Sequence, residues 1–122
     1  MSLYIKVPLI PPSVNHYKTR FRNGNTVVSS KALAFKQEIA LAVRGRFVEC
    51  IYITVVMTVT LGKGECGDIG NFPKLVLDGL ADCGAFRDAK GKIVSDAHVL
   101  RLEVCVNDRE RPDKGFTEVW VS

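Results

Sequence analysis

Histidine and tryptophan are scarce in this chain: its 122 residues include two histidines and one tryptophan. His16 and His98 stand far apart in sequence, and no G-x-S-x-G elbow accompanies them, so Ser–His–Asp chemistry has little basis. The four cysteines, Cys50, Cys66, Cys83 and Cys105, contain no C-x-x-C pair. That spacing disfavours a zinc site and a disulfide framework, and fits reduced thiols in a cytosolic protein. No glycine pattern matches a phosphate loop or a dinucleotide site. The longest apolar-rich stretch, Ile51 to Leu61, falls short of the ~20 residues that a membrane-crossing helix needs. The opening MSLYIKVPLIPPS has one lysine before Pro8 and no small-residue cleavage site, and reads as lacking a secretory signal.

What is present is ordinary for a globular chain: 47% hydrophobic and 25% charged residues. The length suits one domain over residues 1–122 with a core that needs no covalent staples. The net charge of +4 is unevenly spread. Residues 1–63 hold nine lysines and arginines against two acids, whereas residues 64–122 hold eight against eleven. A basic first half is suited to gripping phosphates, although solvated faces with a chance imbalance would look the same.

Periodicity gives a coarse layout. Leu3 to Val7 alternates as a strand and stops at Pro8. Asn15 to Thr26 is polar, basic and aromatic, and its Asn23-Gly24 pair points to a loop or short ribbon. A helix capped by Ser29 or Ser30 runs to about Arg44, with Leu33, Phe35, Ile39 and Val43 on its apolar face and Gly45 at its end. Val48 to Leu61 reads as one long, central strand. Gly62 to Gly70 is a loop. A second helix over Asn71 to Cys83 buries Phe72, Leu75, Val76, Leu80 and Cys83, while Asn71, Lys74, Asp78 and Asp82 share the opposite face. Ala85 to Asp96 reads as a polar loop with a turn at Lys90-Gly91-Lys92. His98 to Val106 and Phe116 to Val121 read as strands forming a final hairpin. The expected fold is therefore α+β: a β-α-β-α-β-β mixed sheet packed with two helices.

The acids carry the chemical interest. Asp68 lies in the glycine-rich loop just before the second helix, Asp78 on that helix, and Asp88 and Asp96 in the loop before the next strand. Two carboxylates ~4 Å apart repel by about 4 kcal/mol at an effective dielectric of ~20, and a bound Mg²⁺ removes that repulsion. Such an ion would keep waters, bind a phosphate oxygen and activate a nucleophilic water. The competing reading is solvated surface acids with a Lys74–Asp78 helix pair.

Several blocks, taken in order, resemble the RusA family of Holliday-junction resolvases, small phage-derived endodeoxyribonucleases. Pro11-Pro12-Ser13-x-Asn15 resembles the family's P-P-S-x-N signature, followed here by Tyr17. Ser30-Lys31-x-x-x-Phe35 resembles the start of its first helix. Asp68-Ile69-Gly70-Asn71-Phe72-Pro73-Lys74 is similar to D-x-D-N-x-x-K and continues as Leu77-Asp78-Gly79-Leu80. Gly84-Ala85-Phe86 resembles G-x-W/F, and Ser95-Asp96-Ala97-His98-Val99 resembles D-D-x-Q-V.

The resemblance implies a Mg²⁺-dependent nuclease, with Mn²⁺ as a substitute, that nicks four-way DNA junctions in recombination and repair and acts as a cytoplasmic homodimer. No membrane and no small-molecule cofactor are implied. Position by position, the implied catalytic residues are Asp68, Lys74 and Asp96, with Asp68 and Asp96 holding the metal. The second acid of D-x-D falls on Gly70 and the first of D-D on Ser95, so Glu65, Asp78 or Asp88 would have to supply a further ligand. The implied DNA contacts are Asn15, Lys18, Arg20, Arg22, Lys31, Lys36 and Lys63, with Tyr17 or Phe21 available to stack on bases. The alternative is a junction-binding protein of the same fold whose catalysis is lost or weakened at Gly70.

Overall fold

The computed structural model describes residues 2–12, 18–20, 26–28, 30–66, 70 and 72–122, with the backbone path alone described for 18–20 and 26–28. Its centre is a four-stranded mixed sheet. The strands are β1 (Leu3–Val7), β5 (Ile53–Thr60), β7 (Val99–Asn107) and β8 (Phe116–Val121), and their order across the sheet is β1-β8-β5-β7. β8 runs antiparallel to both β1 and β5, whereas β7 runs parallel to β5. Two helices, α1 (Ser30–Val43) and α2 (Phe72–Asp82), pack against each other, and α1 also packs on β1. Two small ribbons are also present among the described residues: β2 (Lys18–Arg20) with β3 (Thr26–Val28), antiparallel, and β4 (Val48–Glu49) with β6 (Phe86–Arg87), parallel. Among the described residues, no helix is long and apolar enough to cross a membrane.

The period-2 pattern sorts the sheet into two faces. Leu3, Ile5 and Val7, Ile53, Val55, Met57 and Val59, and Val119 and Val121 are buried in one core cluster with Phe35, Ile39, Val43, Phe72, Leu75, Val76 and Leu80 of the helices. The opposite face carries Tyr4 beside Trp120, ring centroids 5.2 Å apart, with both residues exposed. There the Tyr4 hydroxyl donates to Glu118 at 2.6 Å. That bond, helped by desolvation and the glutamate's charge, raises the tyrosine pKa above its ordinary value. Lys6 Nζ lies 4.3 Å above the Phe116 ring.

Several expectations need correction. The final two strands are not a hairpin, because β5 lies between them. Alternation marks a segment as a strand and says which side chains share a face, but it does not name the neighbour. The long central strand is broken, with β4 ending at Glu49 and β5 starting at Ile53. The segment expected to be all loop contains β6, whose Phe86 is fully buried. Leu33 is 48% exposed, and Ala32 takes the inward position on α1. His98 belongs to a 3-10 turn, Asp96–His98, and not to the strand that follows. Cys83 lies just past α2 and is half-buried, so desolvation raises its thiol pKa. Ser29 and Asn71, expected as caps, lie outside the described residues. The helix ends are closed by Gly45 at φ 73° and Gly84 at φ 75°, left-handed positions that glycine adopts without penalty.

The long connection from β7 to β8 has to cross the end of β5. It does so where Gly62 and Gly115 meet: a Cβ on Gly115 would stand 2.5 Å from the Thr60 carbonyl oxygen, and one on Gly62 would stand 2.5 Å from the Gly115 nitrogen. Glu65 Oε1 accepts from the N–H of Gly62 at 2.7 Å and of Gly115 at 2.8 Å. Arg111 donates to the carbonyls of Gly62 at 3.1 Å and Glu65 at 2.6 Å. This crossing is thus closed by one carboxylate and one guanidinium acting on backbone groups.

Candidate metal and nucleic-acid site

α2 begins at Phe72 because Phe72, Leu75, Val76 and Leu80 recur at helical spacing and all bury against the core, with Pro73 in the first turn, where no amide hydrogen is needed. The same periodicity turns Lys74 and Asp78 outward. Lys74 Nζ stands 4.0 Å from Asp78 Oδ2, and the side chains are 68% and 24% exposed respectively. Asp82, one turn further on, pairs with Lys36 of α1 at 2.8 Å.

Asp96 reaches this region from far along the chain. It opens the 3-10 turn, which packs against α2. The turn is set by Ser95, whose Oγ accepts from the Ala97 N–H at 3.2 Å. Asp96 is half-buried, and no side-chain partner engages its carboxylate among the described residues. The packing thus brings together the helix that carries Lys74 and Asp78 and the turn that carries Asp96. Asp68 lies outside the described residues, between Cys66 and Gly70 in the chain; Gly70 itself is described and exposed.

The substitute ligands divide by their partners. Glu65 is committed to the Gly62 and Gly115 amides. Asp88 Oδ1 accepts from the N–H groups of Lys90 and Lys92, each at 2.9 Å, closing the turn expected at Lys90-Gly91-Lys92. Those amide bonds, with the Lys92 and Lys90 charges, hold the Asp88 carboxyl below its usual pKa. Asp78 is the one substitute that sits on α2, facing Lys74. Among the described residues, no three His, Cys, Asp or Glu side chains converge on one point.

The basic candidates are also spread. Asn15, Tyr17, Phe21 and Arg22 lie outside the described residues, and only the strand backbone of Lys18 and Arg20 is described. Lys63 pairs with Asp113 at 3.1 Å, a largely exposed contact. Lys31 lies exposed on α1 at a cleft of about 380 Å³, which Pro12, Phe35 and Glu65 also line. That cleft unites two segments well apart in sequence, the diproline turn and the start of α1. The motif spacings did not reveal it, because the Pro12–Lys31 approach depends on how α1 lies across β1. Also missed was a depression of about 340 Å³ lined by Cys50, Asp88, Lys90 and His98. Nothing in the sequence signals it, since its residues come from two separate connections, β4 to β5 and β6 to β7.

No protein-family model matches the chain, and no curated protein matches it.

Proposed function

We propose that this protein is a Mg²⁺-dependent, structure-selective endonuclease of the RusA type, nicking four-way DNA junctions as a homodimer. One observation carries the reading: the 3-10 turn bearing Asp96 packs against the helix bearing Lys74 and Asp78, although these segments are distant in sequence. The cleft joining Pro12, Lys31 and Phe35 supports it further, since these residues belong to two of the family-like blocks.

The donor types suit magnesium, which takes one or two carboxylate oxygens and keeps several waters. Asp68 and Asp96 would hold the ion, with Asp78 offering the oxygen that the family has at the position of Gly70. When bound, the ion would polarise the scissile phosphate and lower the pKa of a water. Lys74 would neutralise charge developing on the phosphate, and Asp78 would keep its ammonium turned towards the acids. Lys18, Arg20, Arg22, Lys31, Lys36 and Lys63, with Asn15 and Tyr17, would contact the DNA without reading base sequence.

The test is cleavage of an end-labelled four-way junction in Mg²⁺ and in Mn²⁺. Symmetric nicks in the wild type, lost in Asp68→Asn and Asp96→Asn with junction affinity kept, are the expected result. Gly70 favours a second reading, a junction-binding protein with lost or weakened catalysis. It would be the correct one if wild-type protein binds junctions without nicking and Gly70→Asp switches nicking on. Absence of any salt-dependent junction binding would end both readings.

A further inference from the structure

On the sheet face turned away from the buried core, strand register sets Trp120 of β8 between Tyr4 of β1 and Val56 of β5. Tyr4 is 42% exposed, and Trp120, the chain's single tryptophan, is 40% exposed. Rings of this size dominate interface energetics when something covers them. Among the described strand residues, two acids share this face, and both are engaged: Glu118 accepts from Tyr4, and Glu103 accepts from Arg101 at 2.8 Å. Tyr4 also lines a groove of about 480 Å³ along the β1 edge, together with Ile5, Lys6, Ala42, Arg44 and Arg46. Three cations thus share one groove, and among the described residues no carboxylate forms an ion pair with any of them. Lys6 lies instead over the Phe116 ring. Arg46 is fixed by three backbone carbonyls: its Nε donates to Val43 at 2.9 Å, and its Nη2 to Ala42 at 2.7 Å and to Tyr4 at 3.5 Å. Arg44 stands just past α1 with φ 53°, the one non-glycine residue at positive φ among the described residues. An arginine gains nothing from that backbone, which favours glycine or asparagine, and strain of this kind collects at functional sites.

The groove and the rings meet at Tyr4, and together they describe one ligand. Cations without carboxylate partners favour a chain of phosphates, and exposed rings beside them favour bases whose faces are free. A duplex offers the phosphates only, because its bases are stacked on one another. An acidic peptide offers charge and no bases. We propose that this face binds single-stranded nucleic acid, with bases stacked on Trp120 and Tyr4 and backbone phosphates held at Lys6, Arg44 and Arg46. Ring faces and phosphates are common to every nucleotide, so this binding is insensitive to base order. The groove shares no lining residue with α2 or with the 3-10 turn of Asp96. The inference therefore stands apart from the nuclease reading, and a chain inactive on every junction would leave it intact.

Binding is measured on the full chain in EDTA, so that no metal-dependent nicking intervenes. A thymidylate oligomer of about 12 nucleotides should quench the Trp120 fluorescence as it binds. An abasic oligomer of the same length carries the same phosphates and should bind about 10-fold more weakly. Trp120→Ala, with circular dichroism as a check on folding, should lose about 10-fold in affinity for the thymidylate oligomer and keep its affinity for the abasic one. Arg44→Gly removes one cation at a backbone position that glycine adopts without penalty. It should keep the wild-type unfolding midpoint or raise it, while the slope of log affinity against log salt becomes shallower by about 0.7. Absence of quenching, equal affinity for the abasic oligomer, a Trp120→Ala loss equal for both oligomers, or an unchanged slope in Arg44→Gly would each overturn the proposal. So would a blunt duplex of the same length that binds and quenches as well as the single strand, or a glutamate peptide that binds more tightly. If Trp120→Ala fails to fold, the abasic comparison on wild type and the Arg44→Gly slope still decide.

Discussion

Two acidic regions of this molecule look alike in sequence and differ in what their carboxylates do. At the crossing of β5, Glu65 is spent on two backbone amides, and Arg111 closes the carbonyls beside it. Across the helix layer, Asp96 sits half-buried on a short turn against α2, with no side-chain partner described. The first arrangement is a fastening, in which one carboxylate oxygen and one guanidinium are engaged by backbone groups of the chain. In the second, no described side chain occupies the carboxylate. An acid's role is thus read from its partners, and residue type alone would have treated Glu65 and Asp96 as equivalent candidates.

Substitutions can break or sharpen this contrast. The largest effect is expected at the crossing itself. Gly115→Val places a side chain where a Cβ already meets the Thr60 carbonyl at 2.5 Å, and backbone cannot yield as a side-chain tip can. Urea unfolding should report a loss of about 3 kcal/mol or more. A wild-type midpoint would mean that the crossing is loose and the contrast false.

Glu65→Ala should cost about 2 kcal/mol, because two partly buried amides lose a charged acceptor. Junction cleavage per folded molecule should stay near wild type. If cleavage vanished while the unfolding midpoint held, Glu65 would belong with the metal acids.

Asp96→Asn should behave in the opposite way. Stability should change by no more than about 0.5 kcal/mol, since no partner among the described residues is lost, while cleavage in Mg²⁺ should fall by about 100-fold or more. A large stability loss with activity kept would make Asp96 a structural residue.

Asp82→Asn removes the pair to Lys36, whose aspartate is 64% exposed, and should cost under about 1 kcal/mol, less at high salt. If Lys36 contacts DNA, the same variant should leave the salt dependence of junction binding steep, whereas Lys36→Ala should reduce its slope by about one.

The smallest effect concerns pH. Asp88 has its pKa held below the ordinary value by amides and lysines, so the folded turn favours the charged form. Its contribution is present above the ordinary aspartate pKa, near 3.8, and is lost as pH falls through the lowered folded value. Amide exchange at Lys90 and Lys92 should therefore speed up in strongly acidic solution in wild type, but not in Asp88→Asn. Unchanged protection in acid would show that the carboxylate does not hold this turn.

Much of the local structure was legible. Leu3–Val7 and Phe116–Val121 emerge with the expected alternation, and α2 keeps most of its buried stripe, because each pattern is a direct image of one face turned inward. Leu33 misled because α1 is rich in alanine: several helical faces are then almost equally apolar, and packing against α2 and β1 selects the one through Ala32. Phe86 misled because a two-residue strand is too short to show a period. The candidate site was legible as a collection of acids, but among the substitute ligands Glu65 and Asp88 could be set apart from Asp78 only once their amide partners were known.

By itself the chain's residue order determined most of the helix and strand segments, most of the side chains that turn inward, and that acids crowd the second half. Those properties depend on neighbours within a few residues. Only the tertiary structure decided that β5 separates the last two strands, that Gly62 and Gly115 touch, and that the Asp96 turn meets α2. Such contacts join segments tens of residues apart, and they are selected by the burial of the whole core, which no local period encodes.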